Sequence, residues 1–211
     1  MKITIIYDNT AFKDGLEADH GFSALIESEN NPNILFDTGR GGMILLNNME
    51  ELGIDPKSVD EIFISHAHTD HTGGLDELLR INSKIKVFIP PSFQELENRA
   101  TVVTGPTKIH KNMFSTGELD GIEQVLGLIT VRGVVLVTGC AHPHMDIILN
   151  AARKFGNIYG IVGGLHDFSN FELFQDLAFV CPTHCTQKKE ELKKTYPQKY
   201  VEGGAGRIIN L

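Results

Sequence analysis

Short apolar runs broken by turn residues dominate the chain, and few are long enough for helices. Residues 2–7, 22–27 and 34–39 are apolar, β-branched and aromatic. They read as strands, closed by Asp8-Asn9, by Asn30-Asn31-Pro32-Asn33 and by Asp37-Thr38-Gly39. Residues 62–65 and 85–89 read the same way, whereas 43–52 and 75–81 carry apolar residues near helical spacing. After Pro90 the pattern weakens. Residues 92–99 suggest a short helix, and 101–119, with Gly105-Pro106, suggest an irregular loop with one strand at most, the candidate substrate lid. The alternation then resumes, with strands at 123–131, 134–137, 158–162, 177–181 and 207–211 and helices at 145–155 and 187–195. Thr186 is placed to cap the last helix. Strands in runs with helices between them predict two stacked sheets with helices outside. One domain over residues 1–211 is expected, built from halves at 1–121 and 122–211, each giving one sheet.

Chemistry collects at the strand ends. The strand at 62–65 runs into His66-Ala67-His68-Thr69-Asp70-His71, and Gly73-Gly74-Leu75 follows. Imidazole nitrogens and carboxylate oxygens are the donors that zinc and similar divalent ions prefer. Alternate side chains of an extended segment share a face, so His66 and His68 can grip one ion. A turn then lets Asp70 and His71 point towards a second, and the glycines permit a tight start to the next helix. Other strands end at Asp37, at His142, at His166-Asp167 and at His184, where α/β folds place their sites. Asp37 is read as a carboxylate that holds a ligating imidazole, with Asp8-Asn9 in a similar role. Cys140, Cys181 and Cys185 offer a rival, a separate zinc site that would include His184, or else serve as small buried hydrophobes.

Composition narrows the function classes. The chain has 211 residues, 41% hydrophobic, and a net charge of −8, which argues against a general nucleic-acid or membrane-surface binder. It contains no run of about 20 apolar residues of the kind that spans a bilayer. The N-terminus reads as a strand, not a signal peptide. Three cysteines fit a reducing cytoplasm. No Gly-x-Ser-x-Gly elbow or Walker-type loop occurs, and Gly203-Gly204-Ala205-Gly206 is not a dinucleotide fingerprint.

His66-x-His68-x-Asp70-His71 after an apolar strand and before Gly-Gly-Leu resembles the signature of the metallo-β-lactamase superfamily. Four further stretches resemble one branch, the dihydropterin-ribofuranosylaminobenzene-phosphate-synthase-like metal-dependent hydrolases. They are residues 21–27 with 34–39, Thr138-Gly139-Cys140-Ala141-His142, Gly163-Gly164-Leu165-His166 and Pro182-Thr183-His184-Cys185-Thr186. The resemblance implies an αββα sandwich of two mixed sheets and two divalent ions. Zinc is favoured by ligand type, with manganese, iron or magnesium as alternatives. It implies that His142 joins His66 and His68 at one ion, and that His184 joins Asp70 and His71 at the other. The superfamily's bridging acid falls at His166-Asp167, where Asp167, His166 or a water alone could bridge. We expect His166 to face the ions. The branch commonly carries a longer mid-chain insert, and residues 98–121 look trimmed.

The function expected is hydrolysis of a phosphorylated or otherwise anionic small molecule by metal-activated water. Asp70 would orient the nucleophile and His166 would donate to the leaving group. Lys108, His110, Arg132 and Arg207 are candidate anion contacts. The alternatives are a transferase of the synthase type and a non-enzymatic metal-binding module.

Overall fold

A strand apolar on both faces needs cover on both sides, and the chain supplies three apolar layers. In the computed structural model, which describes residues 1–96 and 98–211, the first six strands lie in one sheet. They are β1 (Lys2–Tyr7), β2 (Ser23–Glu27), β3 (Ile34–Phe36), β4 (Glu61–Phe63), β5 (Lys86–Ile89) and β6 (Thr101–Val102). The next six form the second sheet: β7 (Thr107–His110), β8 (Met113–Leu119), β9 (Glu123–Thr130), β10 (Gly133–Thr138), β11 (Ile158–Gly164) and β12 (Phe179–Thr183). The last strand, β13 (Ile208–Asn210), returns to the first sheet and pairs antiparallel with β1. Helices α1 (Gly42–Glu51), α2 (Thr69–Thr72) and α3 (Leu75–Ile81) belong to the first half, and α4 (Met145–Arg153) and α5 (Lys189–Thr195) to the second.

Period-2 alternation divides the apolar side chains among the layers. On β10, Val135 and Val137 point between the sheets, with Ile3, Phe36, Phe63 and Leu126. Val134 and Leu136 point outward, against Ile148 and Leu149 of α4 and Leu192 of α5. On the far side, Ile62 and Leu35 pack on Leu45 and Met49 of α1 and Leu78 of α3. The result is helix, sheet, sheet, helix. Strands β3, β4 and β5 run parallel, as do β10, β11 and β12, so their carboxyl ends gather their loops along sheet edges.

Several expectations change. Residues 107–119 are not a lid. They fold as the hairpin of β7 and β8, with Thr107 opposite Ser115 and His110 opposite Met113. The change of sheet therefore falls between β6 and β7, not near residue 121, and β13 crosses back. Of the helix expected at 92–99, Gln94–Leu96 forms a single 3₁₀ turn, and residue 97 lies outside the described residues. Thr186 does not cap α5. Its hydroxyl donates to Thr183 O and accepts from Leu165 N–H, and Lys188 precedes the helix. Gly73 and Gly74 have ordinary φ values of −66° and −93°. They are needed for close approach instead, because a Cβ on Gly73 would strike Arg40 O and one on Gly74 would lie 2.5 Å from Thr38 O. No helix among the described residues is long and apolar enough to cross a membrane.

His110 has a structural task. Its Nε2 lies 2.6 Å from Oε2 of Glu61, whose side chain is only 3% exposed, so the pair fastens β7 to β4 across the two sheets. Removing one partner strands a buried charge. His110→Ala should therefore lower the unfolding free energy in urea by about 3 kcal/mol. A loss below about 0.5 kcal/mol would show that the pair contributes no more than an exposed one.

Candidate metal centre

The predicted strand ends do converge. The segment after β4 brings His66 Nε2 to 3.1 Å from His68 Nδ1. His142, after β10, has its ring centroid 4.8 Å from that of His66 and 4.9 Å from that of His68. Donor atoms of these three residues all lie within 4.8 Å of one another. Beside them, Asp70 Oδ2 lies 3.1 Å from His184 Nε2 and 3.7 Å from His71 Nε2. A residue not anticipated, His20, places Nε2 3.1 Å from the same oxygen and packs on the His184 ring.

The backbone at these ends is forced. Asp37, Ala141, His166 and His184 all have φ between 44° and 55°, the left-handed region that costs a non-glycine residue about 1–2 kcal/mol. Buried hydrogen bonds hold it there. Asp8 Oδ1 accepts from His184 N–H at 2.9 Å. Glu123, fully buried, accepts from the amides of Gly139, Cys140, Ala141 and His142. Burial pushes the Glu123 carboxyl above the usual carboxylate range, against the pull of those donors.

Hydrogen bonding also sets the imidazole tautomers. Ser65 Oγ donates to Asp37 Oδ2 at 2.7 Å, so at 2.9 Å from His66 Nδ1 it accepts that ring's proton. Asp37 Oδ2 accepts from His71 Nδ1 at 2.7 Å, and Asn9 Oδ1 accepts from His184 Nδ1 at 2.8 Å. In their neutral forms all three rings therefore carry the proton on Nδ1 and turn a free Nε2 towards the cluster. Burial, then the neighbouring imidazoles, pushes the His66 pKa far down and that of His142 down to about 4. Burial would lower His71 as well, but the Asp37 carboxylate outweighs it and raises the value. Asp70 stays below the usual carboxylate range, because His184 and His71 outweigh its burial.

These nitrogens crowd around the Asp70 carboxylate. His184 Nε2 and His142 Nε2 are buried and lack a hydrogen-bond partner. Buried acceptors facing a carboxylate are costly, and a divalent cation among them would satisfy all of them. Nitrogen with one carboxylate is a donor set that suits zinc.

The remaining predicted residues fall in different places. Asp37 reaches a histidine of the motif, as expected. Asp8 holds the His184 backbone, and the ring contact belongs to Asn9. His166 stands at the edge, 5.2 Å from the His142 ring and 44% exposed, while the Asp167 carboxylate is 82% exposed. None of the four anion-contact candidates touches the cluster. Lys108 is exposed on β7, the edge strand, separated from β10 by β8 and β9. His110 is engaged with Glu61. Arg132 sits in the β9–β10 turn, at the far end of those strands, near Tyr159 Oη. The Arg207 guanidinium covers the Phe12 ring at 4.7 Å. Cys181 lies in the apolar core between the sheets, apart from the donor set of Cys140, His184 and Cys185, and burial pushes its thiol up to about 12. Sequence reading missed His20, Ser65 and Glu123. Only Ser65, adjacent to the motif, carried a signal.

A cleft of about 520 Å³ opens beside His142, lined by Met145, Leu165, Asp167, Phe168 and Leu173 among others, with no lysine or arginine.

The family model of the metallo-beta-lactamase superfamily matches residues 16–154. The chain is 27% identical to 7,8-dihydropterin-6-methyl-4-(beta-D-ribofuranosyl)-aminobenzene-5'-phosphate synthase of Methanocaldococcus jannaschii, over 98% of this chain and 95% of that protein. That alignment spans 278 positions, longer than the chain itself, so the synthase carries segments that are missing here. Among solved structures, Tm1679, described as a metal-dependent hydrolase of the beta-lactamase superfamily, matches with a TM-score of 0.81 at 27% identity over 100% of this chain and 99% of that one. YhfI of Bacillus subtilis, a metallo-beta-lactamase fold protein, matches with a TM-score of 0.71 at 13% identity over 99% and 98%, a likeness of fold alone. A histidine-rich cluster at the strand ends of two mixed sheets, together with a family model that spans most of the chain, places this protein in the metallo-beta-lactamase superfamily.

Proposed function

We propose that the protein is a metal-dependent hydrolase with a binuclear site. His66, His68 and His142 would hold one divalent ion, and Asp70, His71 and His184 the other. The observation that carries this reading is the cluster of imidazole nitrogens gathered around Asp70, two of which, His142 Nε2 and His184 Nε2, are buried without a hydrogen-bond partner. Bound divalent ions supply Lewis acidity and a water acidic enough to act as a nucleophile near neutral pH. The chain's own residues do the rest. Ser65, Asp37 and Asn9 keep His66, His71 and His184 in the ligating tautomer. Asp70 orients the attacking water. His166, half exposed beside the His142 ring, donates a proton to the leaving group.

The substrate is a small molecule whose reacting group lies at the ions and whose body packs on Phe168, Leu173 and Met145. A phosphorylated or otherwise anionic substrate would take its positive charge from the ions, because the cleft lining has no lysine or arginine. The near full-length similarity to the M. jannaschii synthase supports a second reading, transfer of a pterin-bearing carbon to an aromatic nucleophile on the same site.

His68→Ala should abolish both metal content and turnover. Retained hydrolysis with stoichiometric metal would sink the binuclear reading. Asp37→Asn removes the acceptor that fixes the His71 tautomer and should weaken metal affinity about 10–100-fold, read by competition with a chelating dye. Unchanged affinity would mean that Asp37 matters only for folding. Assaying the metal-loaded protein on phosphoesters, thioesters and lactones, and on a pterin diphosphate with an aromatic amine, separates the activities. A coupled pterin product would replace hydrolase with transferase, and full metal content with no turnover anywhere would favour a binding module.

A further inference from the structure

The Cys140 sulfur is a buried ligand-type atom in the cluster that the reading above leaves unused. It lies 3.2 Å from His71 Nε2. With His66 and His71 it forms a set of donor atoms within 4.8 Å of one another, and with His184 and Cys185 it forms a second such set. The side chain is 3% exposed, and the two amides that flank it are tied to Glu123. An independent observation points to a ligand here. His184 is 96% buried, and its Nε2, whose lone pair is free because Nδ1 donates to Asn9, has no hydrogen-bond partner. The Asp167 carboxylate does not compete for this position, because its side chain is 82% exposed, and Glu123 is engaged by backbone amides.

We propose that Cys140 is a metal ligand, acting as a thiolate beside His71 and His184 at the second ion, with Cys185 packed behind it. This rests on the metal reading above and deepens it. Binding forms a metal–sulfur bond, and the thiol proton leaves to solvent, one proton for each ion bound there. A sulfur donor biases this position towards soft and borderline ions such as zinc or cobalt, and away from magnesium.

The test is spectroscopic. The full-length protein is stripped of metal, kept reduced and titrated with cobalt(II), and a zinc-loaded sample is measured by X-ray absorption. Wild-type protein should develop a near-ultraviolet sulfur-to-cobalt charge-transfer band, and the zinc sample should show a sulfur neighbour at about 2.3 Å beside nitrogen at about 2.0–2.1 Å. Cys140→Ser should lose the band while keeping the visible bands of cobalt at the His66–His68–His142 position, and Cys185→Ser should keep it. Two bound ions with neither band nor sulfur shell in wild type would remove Cys140 as a ligand and leave the hydrolase reading intact. A band lost in Cys185→Ser and kept in Cys140→Ser would overturn the assignment to Cys140. Failure to bind any cobalt would overturn the metal reading and this proposal with it. The wild-type measurements need no variant, so a misfolded mutant cannot obscure the outcome.

Discussion

The buried carboxylate of Asp37 is the contact on which the first half of the centre depends. It accepts from Ser65 N–H and Oγ–H and from His71 Nδ1 at 2.7 Å each. A single group at the end of β3 thereby positions the backbone after β4, orients His66 through Ser65, and fixes the His71 tautomer. Charge-assisted hydrogen bonds of this kind are shorter and roughly twice as strong as neutral ones. Asp37 itself adopts a φ of 53°, so the strain of one residue is balanced by alignment of two rings.

The second half solves the same problem through the backbone. Glu123 gathers four successive amides, and Asp8 holds the His184 amide. Ala141, His166 and His184 are kept in the left-handed region, where strain clusters at functional sites in many folds. The two halves approach closely where they meet. A Cβ on Gly139 would press on Ser65 Oγ and lie 3.1 Å from His66 Nδ1.

Much of this was legible in the chain. Parallel strands buried on both faces appear as continuous apolar runs, and the ligand-type residues that follow them stood out by density. What could not be read depends on contacts between distant segments. Thr107 and Lys108 are exposed on an edge strand, so β7 lacked the alternation that marks a half-buried strand. Arg132 and Arg207 offered charge, but charge says nothing about which end of a sheet it occupies. Glu123 resembled any acid at a strand start, and His20 lay in a polar loop without periodicity. Asp8 and Asn9 were legible only as a pair, and which of the two neighbours meets the His184 ring depends on the local turn of the backbone.

The pairing of Asp8 with His184 links residues 176 apart in sequence, and β13 pairs with β1 nearby. Closing so long a loop costs chain entropy before any contact rewards it, and non-local pairings of this kind slow folding. A chain that ends after β6 carries His66, His68, Asp70 and His71 but neither His142 nor His184. The complete histidine cluster is thus a late product of chain assembly, formed only once the segment around Asp8 has met the segment around His184.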